Sequence, residues 1–252
     1  MAAATLGSQR FRVLLAGVFS QILCVGIARF AYTPLLPVMQ QQTWMGDADG
    51  GWLAALNYAG YMLGAVLAAS IRSVYIKDTL FRCGLVLAVL TTAGMALTEH
   101  FWLWAGLRFL AGLSSSASML LASGLILHWL IQHRQRGELG IHFAGVGLGM
   151  IVAAVAVEMM LQLSLSWQTQ WWGFSLLGAA LLVPAWCWLP RPEKPVVGAN
   201  TANTQAEIPP TRTFMRWMLA AYFCAGYGYV ISATFLVAIV EREPLLAGMG
   251  NW

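Results

Sequence analysis

Pro190-Arg-Pro-Glu-Lys-Pro-Val-Val-Gly-Ala-Asn-Thr-Ala-Asn-Thr-Gln-Ala-Glu-Ile-Pro-Pro-Thr-Arg212 divides the chain. This stretch holds five of the nine prolines, a run of small polar residues and no aromatic side chain, the composition of a flexible linker. Six long apolar runs precede it, at 12–39, 51–71, 79–98, 101–127, 139–163 and 171–189, and a seventh follows at 213–240. Each is close to the roughly 20 helical residues that cross about 30 Å of hydrocarbon. Helices satisfy their own backbone hydrogen bonds there, whereas open strands do not. The expected organisation is a six-helix bundle at 1–189, a cytoplasmic linker at 190–212, and a seventh helix opening a second bundle at 213–252.

Composition excludes a soluble globule. Charged residues make up 10% of the 252-residue chain and apolar ones 59%, whereas soluble proteins carry about 25% charge. The formal net charge is +4, but the basic residues fall singly or in pairs between apolar runs, so a nucleic-acid stripe is not expected. Cys24, Cys83, Cys187 and Cys224 all lie in apolar stretches without metal-ligand spacing, and read as packing residues with no disulfide and no metal. Arg10 and Arg12 precede an apolar run that continues past Arg29 to Leu36 with no small-residue cleavage site, so it reads as a retained first helix.

Lys and Arg placement orients the spans. Eleven of the fourteen fall on the N-terminal side, Arg242 alone falls on the other, and Arg29 and Arg108 lie within helices. The N-terminus is therefore expected in the cytoplasm of a bacterial-type cell, the protein being multi-pass in the inner membrane.

Laid on the first apolar run at an offset of 200 residues, the seventh matches Cys24 with Cys224, Gly26 with Gly226 and Leu36 with Leu236. Six helices, a linker and a restart resembling helix one is the layout of a transporter with two parallel six-helix repeats. The motifs Gly26-Ile-Ala-Arg-Phe-Ala-Tyr-Thr-Pro-Leu-Leu-Pro-Val-Met39, Gly51-Trp-Leu-Ala-Ala-Leu-Asn-Tyr-Ala-Gly-Tyr-Met-Leu-Gly64 and Gly226-Tyr-Gly-Tyr-Val-Ile-Ser-Ala-Thr-Phe235 resemble the uncharacterised YbfB/YjiJ branch of the major facilitator superfamily. The resemblance implies an all-α membrane protein: a six-helix N-terminal bundle plus a seventh helix, with the rest of the C-terminal half of a twelve-helix fold missing. A second chain supplying those helices would complete the carrier. One departure is plain: Gly64-Ala-Val-Leu-Ala-Ala-Ser70 lacks the Asp of the superfamily's Gly-x-x-x-Asp-Arg gating motif.

Ionisable groups inside hydrocarbon are costly and mark function. Arg29, Arg108 and Glu158 are such groups, roughly 14, 10 and 8 Å from the outer helix ends at about 1.5 Å per residue. The resemblance places helices one, four and five side by side, which would gather the three. Arg108 and Glu158 would then form a structural or proton-coupling ion pair, leaving Arg29 free to fork a carboxylate or phosphate. Asn57 and Tyr61 share a face of helix two, and Tyr32 lies on helix one; these complete the expected substrate-binding set with Arg29 and Arg108. Gly60/Gly64 and Gly145/Gly149 read as close-packing pairs, expected to stay exposed where a second bundle is absent. Ser114-Ser-Ser116 could line a pore or pack. His100, His128, His133 and His142 read as loop residues, and Trp44, Trp52, Trp102, Trp104, Trp167, Trp171 and Trp172 as an interfacial belt.

The expected function is secondary transport by alternating access of a small, anionic or zwitterionic solute, coupled to an ion or proton and needing no cofactor. A seven-helix receptor or assembly protein, or a membrane-embedded enzyme, are the alternatives. Neither a G-x-S-x-G elbow nor a Walker motif occurs in the sequence, and Lys77 and Lys194 are both expected in cytoplasmic loops, so no chromophore lysine is expected.

Overall fold

The computed structural model describes residues 2–192 and 210–242, with side-chain surroundings for 6–192 and 210–228. The chain divides into two compact units, Met1–Lys194 and Pro195–Trp252. Of the expected linker at 190–212, residues 193–209 lie outside the described residues.

The first unit is an all-helical bundle. Its first pass is continuous from α1 (Ala2–Gln21) through a π-helical segment (Ile22–Phe30) into α2 (Tyr32–Gln42). Then come α3 (Asp47–Ser70), α4 (Val74–Met95) and α5 (Phe101–Ser116), which runs through a second π-helical segment (Ala117–Ala122) into α6 (Ser123–Gln132). The unit closes with α7 (Gly140–Gln162) and α8 (Trp167–Trp188). In the second unit the described residues form one helix, α9 (Arg212–Arg242). Counting each continuous run once, all seven expected helices are present.

Among the described residues, five helical runs are long and apolar enough to cross a membrane: Leu6–Gln42, Asp47–Ser70, Phe101–Gln132, Gly140–Gln162 and Trp167–Trp188. Helix α4 is not among them; it carries Lys77, Asp78 and Arg82 in its first half.

Helix direction alternates, and contacts group the helix ends. At one end Arg10 pairs with Glu138 at 3.2 Å. There too Arg82 donates to the carbonyls of Trp186 at 2.7 Å and Leu189 at 3.0 Å while pairing with Asp78, so a buried guanidinium caps the orphan carbonyls closing α8. At the other end Trp44 Nε1 donates to the carbonyl of Glu99 at 2.8 Å, and the Trp167 amide donates to Gln42 Oε1 at 2.9 Å.

The first pass lies in the middle, against α7, α8, α4 and α5, and α3 packs along α5. Glycines set these approaches. A Cβ on Gly60 would strike the Phe109 carbonyl, one on Gly64 the Ser116 hydroxyl, and one on Gly112 the Asn57 carbonyl. Across α7, a Cβ on Gly26 would come 2.5 Å from the Gly149 Cα, and one on Gly145 would come 2.8 Å from the Val18 carbonyl. The expectation that Gly60/Gly64 and Gly145/Gly149 remain exposed is therefore corrected. Their faces are consumed inside this bundle, because four small residues let backbones touch and dispersion contacts replace the missing side chains.

The interfacial belt is corrected in part. Trp52, Trp102 and Trp172 are exposed, but Trp104, Trp167 and Trp171 are among the most buried side chains of the unit. Trp104 stacks with Trp44 at 6.0 Å, meets Trp167 edge-on at 5.6 Å, and donates its Nε1 proton to the Met95 carbonyl at 3.0 Å. A satisfied N–H is what permits an indole to enter a core.

Candidate functional site

The π-helical segment of the first pass ends beside Arg29, and α2 begins two residues later. Pro34 has no N–H, so one carbonyl in the preceding turn has no helical donor from that position. Arg108 reaches across from α5 and donates to the carbonyls of Ala28 at 3.0 Å and Arg29 at 3.1 Å. Its guanidinium also lies over the Tyr32 ring, 4.3 Å from the centroid, and the side chain is buried.

The expected ion pair between Arg108 and Glu158 is not formed. Glu158 Oε1 accepts from Gln162 Nε2 at 3.2 Å instead. The reason is helical phase. Helix α7 turns His142, Gly145, Gly149, Ala153 and Val157 inward, and Glu158, about 100° further round at 3.6 residues per turn, points off that face.

Two further expected site residues do structural work. Asn57 is buried and donates to the Arg108 carbonyl at 2.8 Å, tying α3 to α5. Tyr32 is buried and donates to the Gly50 carbonyl at 3.0 Å. Ser114, Ser115 and Ser116 also pack, with Ser115 donating to the Cys24 carbonyl at 2.6 Å.

Arg29 and Tyr61 do come together. The Arg29 guanidinium lies 4.4 Å from the Tyr61 ring centroid, 4.8 Å from that of Tyr58 and 5.2 Å from that of Phe30. Its Nε is buried without a hydrogen-bond partner. Among the described residues Arg29 makes no hydrogen bond or ion pair through its side chain. So two guanidiniums meet at one turn of the first pass, one on carbonyls and one among rings, with no carboxylate bound to either.

One polar cluster was not foreseen. His142, read as a loop residue, is fully buried on α7, because Gly17 and Gly145 let α1 close over it. Its Nε2 lies 3.0 Å from Gln21 Nε2 and 3.2 Å from Ser123 Oγ. From Gln21 Oε1 the network passes to the Ser118 hydroxyl at 3.3 Å, on to Ser20 at 3.0 Å, and to the Gly17 carbonyl at 2.8 Å. The signal in the sequence was the position of His142 three residues inside an apolar run. A cavity of about 210 Å³ between α3, α4 and α5 has no charged residue in its walls.

A bundle with several helical runs long and apolar enough to cross a membrane defines a multi-pass membrane protein. The chain belongs to the family described as Uncharacterised MFS-type transporter YbfB, whose profile matches residues 21–250. It is similar to the Uncharacterized MFS-type transporter YceJ of Bacillus subtilis, 26% identical over 92% of this chain and 62% of that protein. It is also similar to the Phosphoglycerate transporter protein of Salmonella typhimurium, 25% identical over 72% of this chain and 38% of the relative. The Niacin transporter NiaP of Acinetobacter baylyi is 28% identical over 52% of this chain and 29% of its own length. The chain thus spans less than two thirds of these relatives.

Proposed function

We propose that the protein acts in secondary transport of a small anionic solute across the inner membrane, with residues 1–189 as the N-terminal bundle of an alternating-access carrier. The carrying observation is that Arg108 reaches from α5 to the turn that carries Arg29, with no carboxylate bound to either arginine among the described residues. Unpaired charge inside a membrane is costly, and an incoming anion offsets that cost. Two relatives are named for phosphoglycerate and niacin, both acids that are ionised at neutral pH. Alternating access needs a second bundle facing this one, beginning here at 213–252 beyond the linker at 190–212. Glu158, a carboxylate inside a span that no lysine or arginine pairs with among the described residues, is the group proposed to carry a coupling proton.

The test is anion binding to the chain in lipid nanodiscs, comparing the parent with Arg29→Gln against a panel of carboxylates and phosphates. At least one anion should bind to the parent and lose most of its affinity in the variant. A panel that binds to neither, or equally to both, removes Arg29 as the counter-charge and the anion reading with it.

A further inference from the structure

We infer that the solute held at Arg29 is a small aromatic carboxylate; this rests on the reading of the protein as an anion carrier and narrows it to one chemical class. The polar groups around Arg29 are few. Asn57 is engaged with the Arg108 carbonyl, Tyr32 with the Gly50 carbonyl, and Arg108 with the carbonyls of Ala28 and Arg29. What is left is the Arg29 guanidinium, the buried Nε of Arg108, and the hydroxyls of Tyr58 and Tyr61, which make no hydrogen bond among the described residues. The guanidinium also faces three aromatic rings, those of Tyr61, Tyr58 and Phe30.

A solute with many hydroxyls, or a phosphate with three acceptor oxygens, would find few partners among these groups and leave polar atoms unpaired. A carboxylate needs one planar fork, and the terminal nitrogens of Arg29 supply it. The body behind that carboxylate meets flat apolar walls. Tyr58 is 54% exposed, so its ring is open to an offset or edge contact with a second ring. Arg29 sets the charge, and Tyr58 and Tyr61 set the preference for an aromatic body.

The experiment is equilibrium binding of benzoate to the chain in nanodiscs. The comparisons are cyclohexanecarboxylate, which keeps the charge without the aromatic ring; benzamide, which keeps the ring without the charge; and 3-phosphoglycerate. Benzoate should bind at least five-fold more tightly than each of the three. Arg29→Gln should abolish that binding, while Tyr58→Leu and Tyr61→Leu should each narrow the gap between benzoate and cyclohexanecarboxylate. If cyclohexanecarboxylate or 3-phosphoglycerate binds as tightly as benzoate and depends on Arg29, the aromatic class is wrong and the anion reading stands. If no acid in the panel depends on Arg29, both are wrong. Tyr58→Leu, at an exposed ring, decides the aromatic question even where Arg29→Gln does not fold.

Discussion

Arg108 donates a hydrogen bond to the main-chain carbonyl of Arg29 at 3.1 Å, so one guanidinium braces the backbone that carries the other. Arg108 therefore positions Arg29 and has no carboxylate of its own. Arg108→Lys places a single ammonium where a fork served two carbonyls. It should lower stability by about 1.5–3 kcal/mol, the value of one charge-assisted hydrogen bond. Glu158→Gln breaks no ion pair among the described residues and should change stability by less than about 0.5 kcal/mol. Thermal unfolding in mild detergent reads both, and a loss of about 3–5 kcal/mol in Glu158→Gln would restore the ion pair.

The approach of α3 to α5 rests on Gly60, whose added Cβ would strike the Phe109 carbonyl. Gly60→Ala should destabilise by about 1–3 kcal/mol through overpacking. Gly106→Ala, in the same α5 with nothing within 4 Å of the added atom, should stabilise by about 0.5–1 kcal/mol. Equal effects at the two sites would mean that the helices are not in backbone contact.

Asp78 neutralises Arg82 where that arginine caps α8, the pair lying 3.0 Å apart with both side chains buried. Asp78→Ala leaves a buried guanidinium without its carboxylate and should cost about 3 kcal/mol. The same change at Glu138, whose exposed pair with Arg10 is 3.2 Å long, should cost under about 1 kcal/mol. A chemical-denaturation comparison in which Asp78→Ala matches Glu138→Ala would show that the cap carries no weight.

His142 and Gln21 answer each other across α7 and α1 at 3.0 Å. His142→Leu should leave Gln21 Nε2 with only the weakly accepting Met119 sulfur at 3.4 Å and cost about 1–3 kcal/mol. Adding Gln21→Leu should return part of that loss, since both polar groups are then gone. Strictly additive losses in the double-mutant cycle would show that the two side chains are not coupled.

A reporter fused after Arg136 should behave as cytoplasmic, and one near Asp47 or Gln168 as external, from the bias of lysine and arginine among the loops. Cytoplasmic signal from the Asp47 fusion would reverse the proposed orientation.

The amino-acid sequence by itself determined the number and extent of the helices and the membrane class. Apolar length against hydrocarbon thickness is a one-dimensional property, and the runs at 51–71 and 139–163 became Asp47–Ser70 and Gly140–Gln162. It also singled out Arg29 and Tyr61, because charge and ring stand out against an apolar run. Only the tertiary structure decided what each interior side chain faces. Two π-helical segments, Ile22–Phe30 and Ala117–Ala122, shift helical phase with no sequence signature. Arg108 turned to carbonyls, Glu158 fell off the packed face, and His142 went inside. Trp104, Trp167 and Trp171 became core while Trp102 stayed outside, since the same residue type fits either environment once its N–H is satisfied. Phase, register and close approach are properties of pairs of helices, and a single chain read in order holds them only implicitly, in the glycines that allow backbones to touch.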